Sequence, residues 1–292
     1  MAKVYADFAE VYDELMDETP YAQWCENLTQ LIARYGVSRP VERRGMQTCE
    51  RSDADALASE RDLVLDLGCG TGTLTQLLYT KGYDMIGVDN APAMLNIAMR
   101  KREESGADIL YLLQDMRDLE LYSTVGTVIS VCDSVNYILA EEELLEVFRL
   151  VNNYLYPGGV FIFDFNTVYK YRTVIGDTVI AENREDCSFI WENFYDEESC
   201  VNQYDVTVFV QEGRAEDQTS EAEADDLFRR FRETHLQRGY TLTQMETLIR
   251  MAGMEFVRAL DADSLQEVTD ESERIYVVAR EHGKSKAVEP NG

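Results

Sequence analysis

Positive charge and metal-binding patterns are both scarce in this chain. Its 292 residues carry 27 Lys and Arg against 55 Asp and Glu, a formal net charge of −28. A surface this acidic repels phosphate backbones and anionic lipid, which counts against a nucleic-acid substrate. A small acceptor, cationic or amine-bearing, is the favoured partner, with the chain acting as a monomer or homodimer. Six cysteines (Cys25, Cys49, Cys69, Cys132, Cys187, Cys200) form no C-x-x-C pair, and the two histidines, His235 and His282, lie away from them in sequence. That excludes the usual zinc and disulfide frameworks, so no metal is expected and free thiols fit a reducing compartment. No apolar stretch approaches the roughly 20 residues of a membrane span. The opening "MAKVYADFAEVYDELMDETP" is too acidic and too broken for a signal peptide, and the expected location is the cytoplasm.

What is present is a regular alternation of strand and helix patterns. With 45% hydrophobic residues the chain can bury one large core. "DLVLDL" (62–67), "YDMIGVD" (83–89), "ILYLLQ", "GTVISVC" and "GVFIFDF" read as buried strands. Between them lie helical patterns. Leu74, Leu77 and Leu78 recur until Gly82 closes their segment. "NAPAMLNIAMRKREESG" has Asn90 as a candidate cap and Pro92 in its first turn, and "EEELLEVFRLVNNYL" is stopped by "PGG". This order predicts an α/β fold with a doubly wound, mostly parallel sheet. Residues 1–61 form a helical cap and a polar connection, 62–170 with 236–282 the core, and 283–292 a frayed tail. Residues 171–235 alternate at period two and read as an antiparallel β insertion with an acidic tip.

The turn "LGCGTGT" places Gly68, Gly70 and Gly72 after the first strand, where open parallel sheets bind ligands. Thr73 stands where the dinucleotide fingerprint needs glycine, and no phosphate loop is present. Asp66 before the turn suits an ammonium or sulfonium group better than a phosphate. Asp89, at the end of the second strand, can accept from two ribose hydroxyls. Asp115, ending the third, could hold an adenine amino group while the Met116 amide meets a ring nitrogen. These acids describe a nucleoside with a cationic amino-acid arm, S-adenosyl-L-methionine.

"LDLGCGTG", "GVDNAPAML", "QDM" and "CDSVNYI", in that order and spacing, resemble the successive motifs of class I S-adenosylmethionine-dependent methyltransferases. "YADFAEVYDELMDETPYAQW" and "FRETHLQRGYT" narrow the resemblance to the bacterial YqeM-type group, close to small-molecule N-methyltransferases of amines and amino sugars. The resemblance implies a seven-stranded Rossmann-like sheet whose last strand is antiparallel. It implies that Asp66, Gly68, Gly70 and Thr71 cradle the methionine arm and Asp89 the ribose, with Cys69, Gly72, Asn90 and Met94 also binding the cofactor. Asp115 and Met116 would hold the adenine, and Cys132 and Asp133 the methyl end. Tyr5, Tyr12 and Tyr21 would close over the cofactor, whose product is S-adenosyl-L-homocysteine. Helical spacing of Tyr5, Phe8 and Tyr12 fits plain packing equally well.

A sulfonium methyl is already activated, so catalysis asks mainly for placement. Should the acceptor be protonated, His235 is the candidate base, sharing a strand face with Glu233 and followed by Arg238. Asp133, Asn136 and Tyr137 follow the fourth strand and are expected at the acceptor. Cys132 reads as a small buried side chain, since no histidine near it in sequence activates it. The D/N-P-P-Y/W stretch of many base-amine methylases is missing. An RNA or protein methyltransferase, or a silent cofactor-binding partner protein, stays open as an alternative.

Overall fold

The computed structural model describes residues 9–16, 19–40, 59–214 and 226–284. Tyr5 and Phe8, most of the polar connection, the acidic tip and nearly all of the tail lie outside them. Seven strands form the main sheet: β1 (Leu63–Leu67), β2 (Asp84–Asp89), β3 (Leu110–Leu113), β4 (Val125–Ser130), β5 (Leu155–Asn166), β10 (Met254–Asp261) and β11 (Arg274–Glu281). Their order is β10-β11-β5-β4-β1-β2-β3. β1 to β5 pair in parallel, while β11 runs antiparallel to both β5 and β10. The chain leaves β1 toward β2 on one side and returns through β4 on the other, so strand order reverses at β1/β4.

Alternate residues of the central strands feed two cores. Leu65, Leu67, Val128, Phe161 and Phe163 face α5 (Glu141–Tyr154) and α6 (Leu242–Met251), whereas Val64, Ile129, Val160 and Ile162 face α2 (Tyr21–Tyr35) and α3 (Thr73–Thr80). Successive side chains of a strand point to opposite faces, so both faces need cover. The short helix α1 (Ala9–Leu15) packs on α4 (Pro92–Ser105) through Ala9, Ala91, Met94 and Ile97.

Three local expectations change. Ala91, not Asn90, is the N-cap of α4, and the amide of Ala91 donates to Asp89 Oδ1 at 2.8 Å. The carboxylate one position earlier has done the capping that an asparagine was expected to do. The Pro-Gly-Gly segment does not separate helix from strand: α5 ends at Tyr154 and β5 begins at Leu155. Val125 pairs with Leu155 and Thr127 with Val160, so Pro157–Gly159 bulge out of the strand. A π-helical turn, Lys170–Ile175, opens the insertion.

The insertion is a sheet of its own, β6 (Val179–Asn183), β7 (Cys187–Asp196), β8 (Val201–Arg214) and β9 (Asp226–Arg238), antiparallel and in sequential order. Its inner face buries Tyr204, Val206 and Val208, against which Leu15 of α1, Phe189 and Trp191 pack. β9 continues three residues past His235 and reaches the main domain at Arg238.

Candidate functional site

The glycine turn takes three left-handed backbone positions, Gly68, Gly70 and Gly72 at φ 85°, 54° and 72°. The amides of Gly68 and Cys69 both donate to the carbonyl of Val88, at 2.8 and 3.0 Å, which pins the turn to β2. A Cβ on Gly68 would strike Ser134 Oγ at 2.6 Å and one on Gly72 would strike Tyr111 Oη at 2.5 Å. At Gly70 a Cβ would meet nothing within 4 Å. Two glycines are therefore packed shut and the middle one faces open space. Beneath them Asp66 is buried and accepts from Thr75 Oγ1 at 2.6 Å. Burial pushes its carboxyl pKa up to about 7, the Thr75 hydrogen bond pulls against this, and Asp89 adds to it.

Asp13 of α1 closes on the same turn. Thr71 and Thr73 donate to its Oδ1 at 2.7 and 3.3 Å, and Lys101 Nζ lies 2.6 Å from its Oδ2. The sequence reading missed Asp13, because no local pattern ties an acid to a turn 58 residues on.

Asp89 ends β2 with one oxygen on the Gly70 amide and the other on the Ala91 amide, both at 2.8 Å. Burial raises its pKa and those backbone donors oppose the rise. A carboxylate has about four lone-pair sites, so acceptor capacity remains. Asp115 accepts from the Arg117 amide and caps the 3-10 turn Met116–Asp118. The Arg117 guanidinium brackets it at 2.9 and 2.7 Å and lowers its pKa, with Asn90 adding a hydrogen bond. Arg117 was not anticipated, although its spacing of two from Asp115 was in plain view. The Met116 side chain reaches under the turn, its Cε 3.7 Å from where a Gly68 Cβ would stand. Met94, expected at the cofactor, is buried between α1 and α4 against Ala9, Ala91 and Ile97. Burial drives the Cys69 thiol well above its ordinary pKa.

After β4 the chain makes its sharpest turn. Cys132 and Asp133 have φ 62° and 54°, left-handed values on two consecutive non-glycine residues. Their amides donate to the two oxygens of Asp164, at 3.2 and 2.9 Å. Arg274 Nε lies 3.5 Å from Asp164 and its guanidinium stacks 4.3 Å over the Trp24 ring of α2. Asp133 Oδ2 accepts from Asn166 Nδ2 at 3.0 Å and Gln237 Nε2 at 2.7 Å. Gln237 Oε1 accepts from Tyr171 Oη at 2.7 Å, which in turn accepts from Asn166 Nδ2 at 3.0 Å. These contacts close a ring that holds the Asp133 carboxylate. Burial lifts its pKa to about 6, against the pull of Lys170, with Asp164 adding to the rise and Gln237 opposing it. From the cap, Tyr12 hydrogen-bonds Tyr21 and Cys132, and burial raises the pKa of both Tyr21 and the Cys132 thiol. A thiol held protonated is no nucleophile.

Two expected acceptor contacts have other work. Asn136 is 0% exposed, donating to the carbonyls of Asn166 and Arg238 at 2.9 and 2.7 Å and accepting from the Asn166 amide at 2.9 Å. Both amide protons are spent on backbone, so Asn136 ties β4, β5 and β9 together. The Arg238 guanidinium donates to the Leu139 carbonyl and to Glu141, each at 2.9 Å, and so anchors β9 to the start of α5.

Tyr137, Glu233 and His235 do come together. Tyr137 Oη stands 2.7 Å from Tyr204 Oη and 3.2 Å from His235 Nδ1. Tyr204 and His235 face each other across β8 and β9 and stack at 4.8 Å, while Glu233 Oε2 is 3.5 Å from His235 Nε2. His235 is 3% exposed, inside the interface between the two sheets. Glu233, His235 and Gln237 alternate along β9, and Gln237 touches Asp133, so this buried face abuts the carboxyl end of β4.

Residues 64–159 match the family model described as a methyltransferase domain. Across 98% of its length the chain is 31% identical to a Bacillus subtilis protein that carries the name methyltransferase YqeM, of which it covers 99%. Among solved structures, an S-adenosylmethionine-dependent methyltransferase from Clostridium acetobutylicum matches over 96% of this chain and 99% of its own, with a TM-score of 0.75 and 26% identity. The sugar N-methyltransferase KedS8 from Streptoalloteichus shares the fold at 18% identity and a TM-score of 0.66, over 95% of this chain and 93% of its own. The site fits a cationic nucleoside: space opens over Gly70, and Asp66, Asp89 and Asp115 stand at three successive strand ends. The chain belongs to the YqeM-type methyltransferases, enzymes whose methyl donor is S-adenosylmethionine.

Proposed function

We propose that the acceptor is a small molecule methylated at nitrogen or oxygen, bound between the carboxyl ends of β4 and β5 and the inner face of the insertion sheet. The carrying observation is the buried row Glu233, His235 and Gln237 of β9: Gln237 touches Asp133, and the histidine–carboxylate pair continues along the same face. An enclosed wall of this kind suits a small ligand rather than a polymer. The fold likeness to a sugar N-methyltransferase is in keeping with it.

In this reading Asp66, Gly68, Cys69, Gly70, Thr71 and Gly72 hold the methionine arm, Asp89 and Asn90 the ribose, and Asp115 and Met116 the adenine. Tyr12, Tyr21, Cys132 and Asp133 surround the methyl end. The bound donor supplies a methyl group already activated on sulfonium. The protein's share is placement behind that carbon and exclusion of water, worth about 7–11 kcal/mol of barrier. His235 accepts the proton the acceptor gives up, through the Tyr137 hydroxyl at its Nδ1, and Glu233 steadies the resulting imidazolium.

The test is transfer from methyl-labelled S-adenosylmethionine to a panel of amines, amino sugars and phenols, run beside RNA and protein. Label in a small molecule, reduced about 10²-fold or more by His235→Ala, is expected from general-base removal. Label in RNA or protein alone would overturn the acceptor class.

A further inference from the structure

The turn that carries Cys132 and Asp133 requires an explanation of its own. A non-glycine residue in the left-handed region costs about 1–3 kcal/mol and survives only where its surroundings over-determine it. Here two stand in succession. The group that over-determines them is Asp164, at the buried end of β5 and 0% exposed, whose two oxygens take the two turn amides at 3.2 and 2.9 Å. A carboxylate is the side chain that can do this, since an asparagine offers one acceptor and would turn its NH₂ against the second amide. Arg274 supplies the opposite charge that a buried acid needs, and is held in turn over Trp24. Neighbouring side chains confirm where the clamp leads. With the turn so fixed, Asp133 points into Asn166 and Gln237, while its carbonyl accepts from the Asn136 amide at 2.9 Å as the N-cap of the 3-10 turn Ser134–Tyr137.

We propose that Asp164 is a positioning residue for methyl transfer: by gripping the amides of Cys132 and Asp133 it fixes the strained turn that aims the Asp133 carboxylate at the reacting centre. The assignment rests on the reading above that Asp133 stands at the methyl end. It differs from a purely structural role, in which Asp164 only neutralises Arg274. A structural role would lower stability and every binding step together. The clamp role lowers turnover while leaving the cofactor's main contacts, on β1 to β3, untouched.

The experiment measures kcat on an acceptor found by the label screen, and the S-adenosylhomocysteine dissociation constant by calorimetry, for Asp164→Asn, Cys132→Gly and the double variant. Glycine takes the left-handed position at 132 without strain, so one of the two residues that the clamp restrains no longer needs it. Expected is a loss of roughly 10²-fold in kcat for Asp164→Asn, the scale of a 1 Å misplacement. The dissociation constant should stay within about threefold. The same substitution should cost markedly less in the Cys132→Gly background, a coupling that only neighbours sharing one constraint produce. Equal losses in both backgrounds, or an Asp164→Asn enzyme with unchanged kcat, would overturn the assignment. Should Asp164→Asn fail to fold, Asp164→Glu keeps the charge facing Arg274 but moves the carboxylate. Lost turnover there supports the clamp, and full turnover overturns it. Asp133→Ala separates the two layers: if it keeps kcat, the role read for Asp133 is what fails, whereas loss with Asp133→Ala but not with either Asp164 variant condemns the clamp alone.

Discussion

Asp89 holds the amides of Gly70 and Ala91 with one carboxylate, and on the proposed reading it also takes the ribose. Asp89→Ala should therefore abolish calorimetric binding of S-adenosylmethionine and S-adenosylhomocysteine, and also lower stability by about 1–3 kcal/mol for the amides left unsatisfied. Binding that survives the substitution would remove Asp89 from the site. Asp66 and Asp133 make pH statements of opposite kind. The raised pKa of Asp66, about 7 when folded, means that folding favours its protonated form. Its contribution is complete below the unfolded value near 4 and is lost as pH rises through 7. Asp66→Asn should thus gain melting temperature relative to the parent between pH 5 and pH 8, read by calorimetric scans. On the proposed reading Asp133, with a pKa of about 6, is ionised when it holds a proton donor of the acceptor. An acid limb near pH 6 in kcat/KM should follow, present in the parent enzyme and absent in Asp133→Asn.

Among elements, β9 is the one that connects fold to chemistry. Gln237→Leu removes the donor to Asp133 and the acceptor of Tyr171, opening the ring on two sides. The expected result is a raised KM for the acceptor with an unchanged dissociation constant for S-adenosylhomocysteine; a change in the second value alone would mean β9 serves the cofactor instead. At the opposite end of the core, a Cβ on Gly126 would come 1.6 Å from the Arg61 carbonyl. Gly126→Ala must push β4 away from the chain entering β1, and a loss of more than about 3 kcal/mol, as for severe overpacking, should be seen in urea melts. The elements themselves were readable because buried strands show as short apolar runs and helices as 3.6-residue stripes. The Pro-Gly-Gly bulge was not. Proline and glycine mark a break in either case, and only the partner strand's register decides between a loop and a bulge. Asn136 and Arg238 were misread for a similar reason: a polar residue after a strand looks the same whether it meets a ligand or a backbone carbonyl 102 positions away.

Over the whole molecule, the glycine turn and the acids at the ends of β1 to β3 were legible, and the contacts gathered around Asp133 were not. Residues 64–116 contain the glycine turn, Asp89 and Asp115 in one continuous βαβαβ run, so their spacing alone carries the geometry. The ring around Asp133 joins Asn166, Tyr171 and Gln237, drawn from distant elements, and no local pattern announces that meeting. A net charge of −28 spread over 292 residues adds self-repulsion that salt screens. Raising NaCl from 0.05 to 0.5 M should raise the melting temperature, at about 2–4 °C per kcal/mol relieved for a domain of this class. A fall with salt would mean that its ion pairs outweigh the repulsion.

The stacking of Arg274 on Trp24 has a bearing on how the chain is made. Trp24 belongs to the second helix and Arg274 to the last strand, and the cluster beneath Trp24 also takes in Tyr276 and Val278 from that strand. During synthesis α2 leaves the ribosome with its apolar face built to meet a strand that does not yet exist. That face, with Leu28, Leu31 and Ile32, stays uncovered on one side until β11 emerges. The nascent protein therefore spends most of its translation with a sticky surface near its start, the situation that chaperones attend. The Asp164–Arg274 pair closes last, and on the role proposed for Asp164 no ribosome-bound fragment short of β11 has a finished active site.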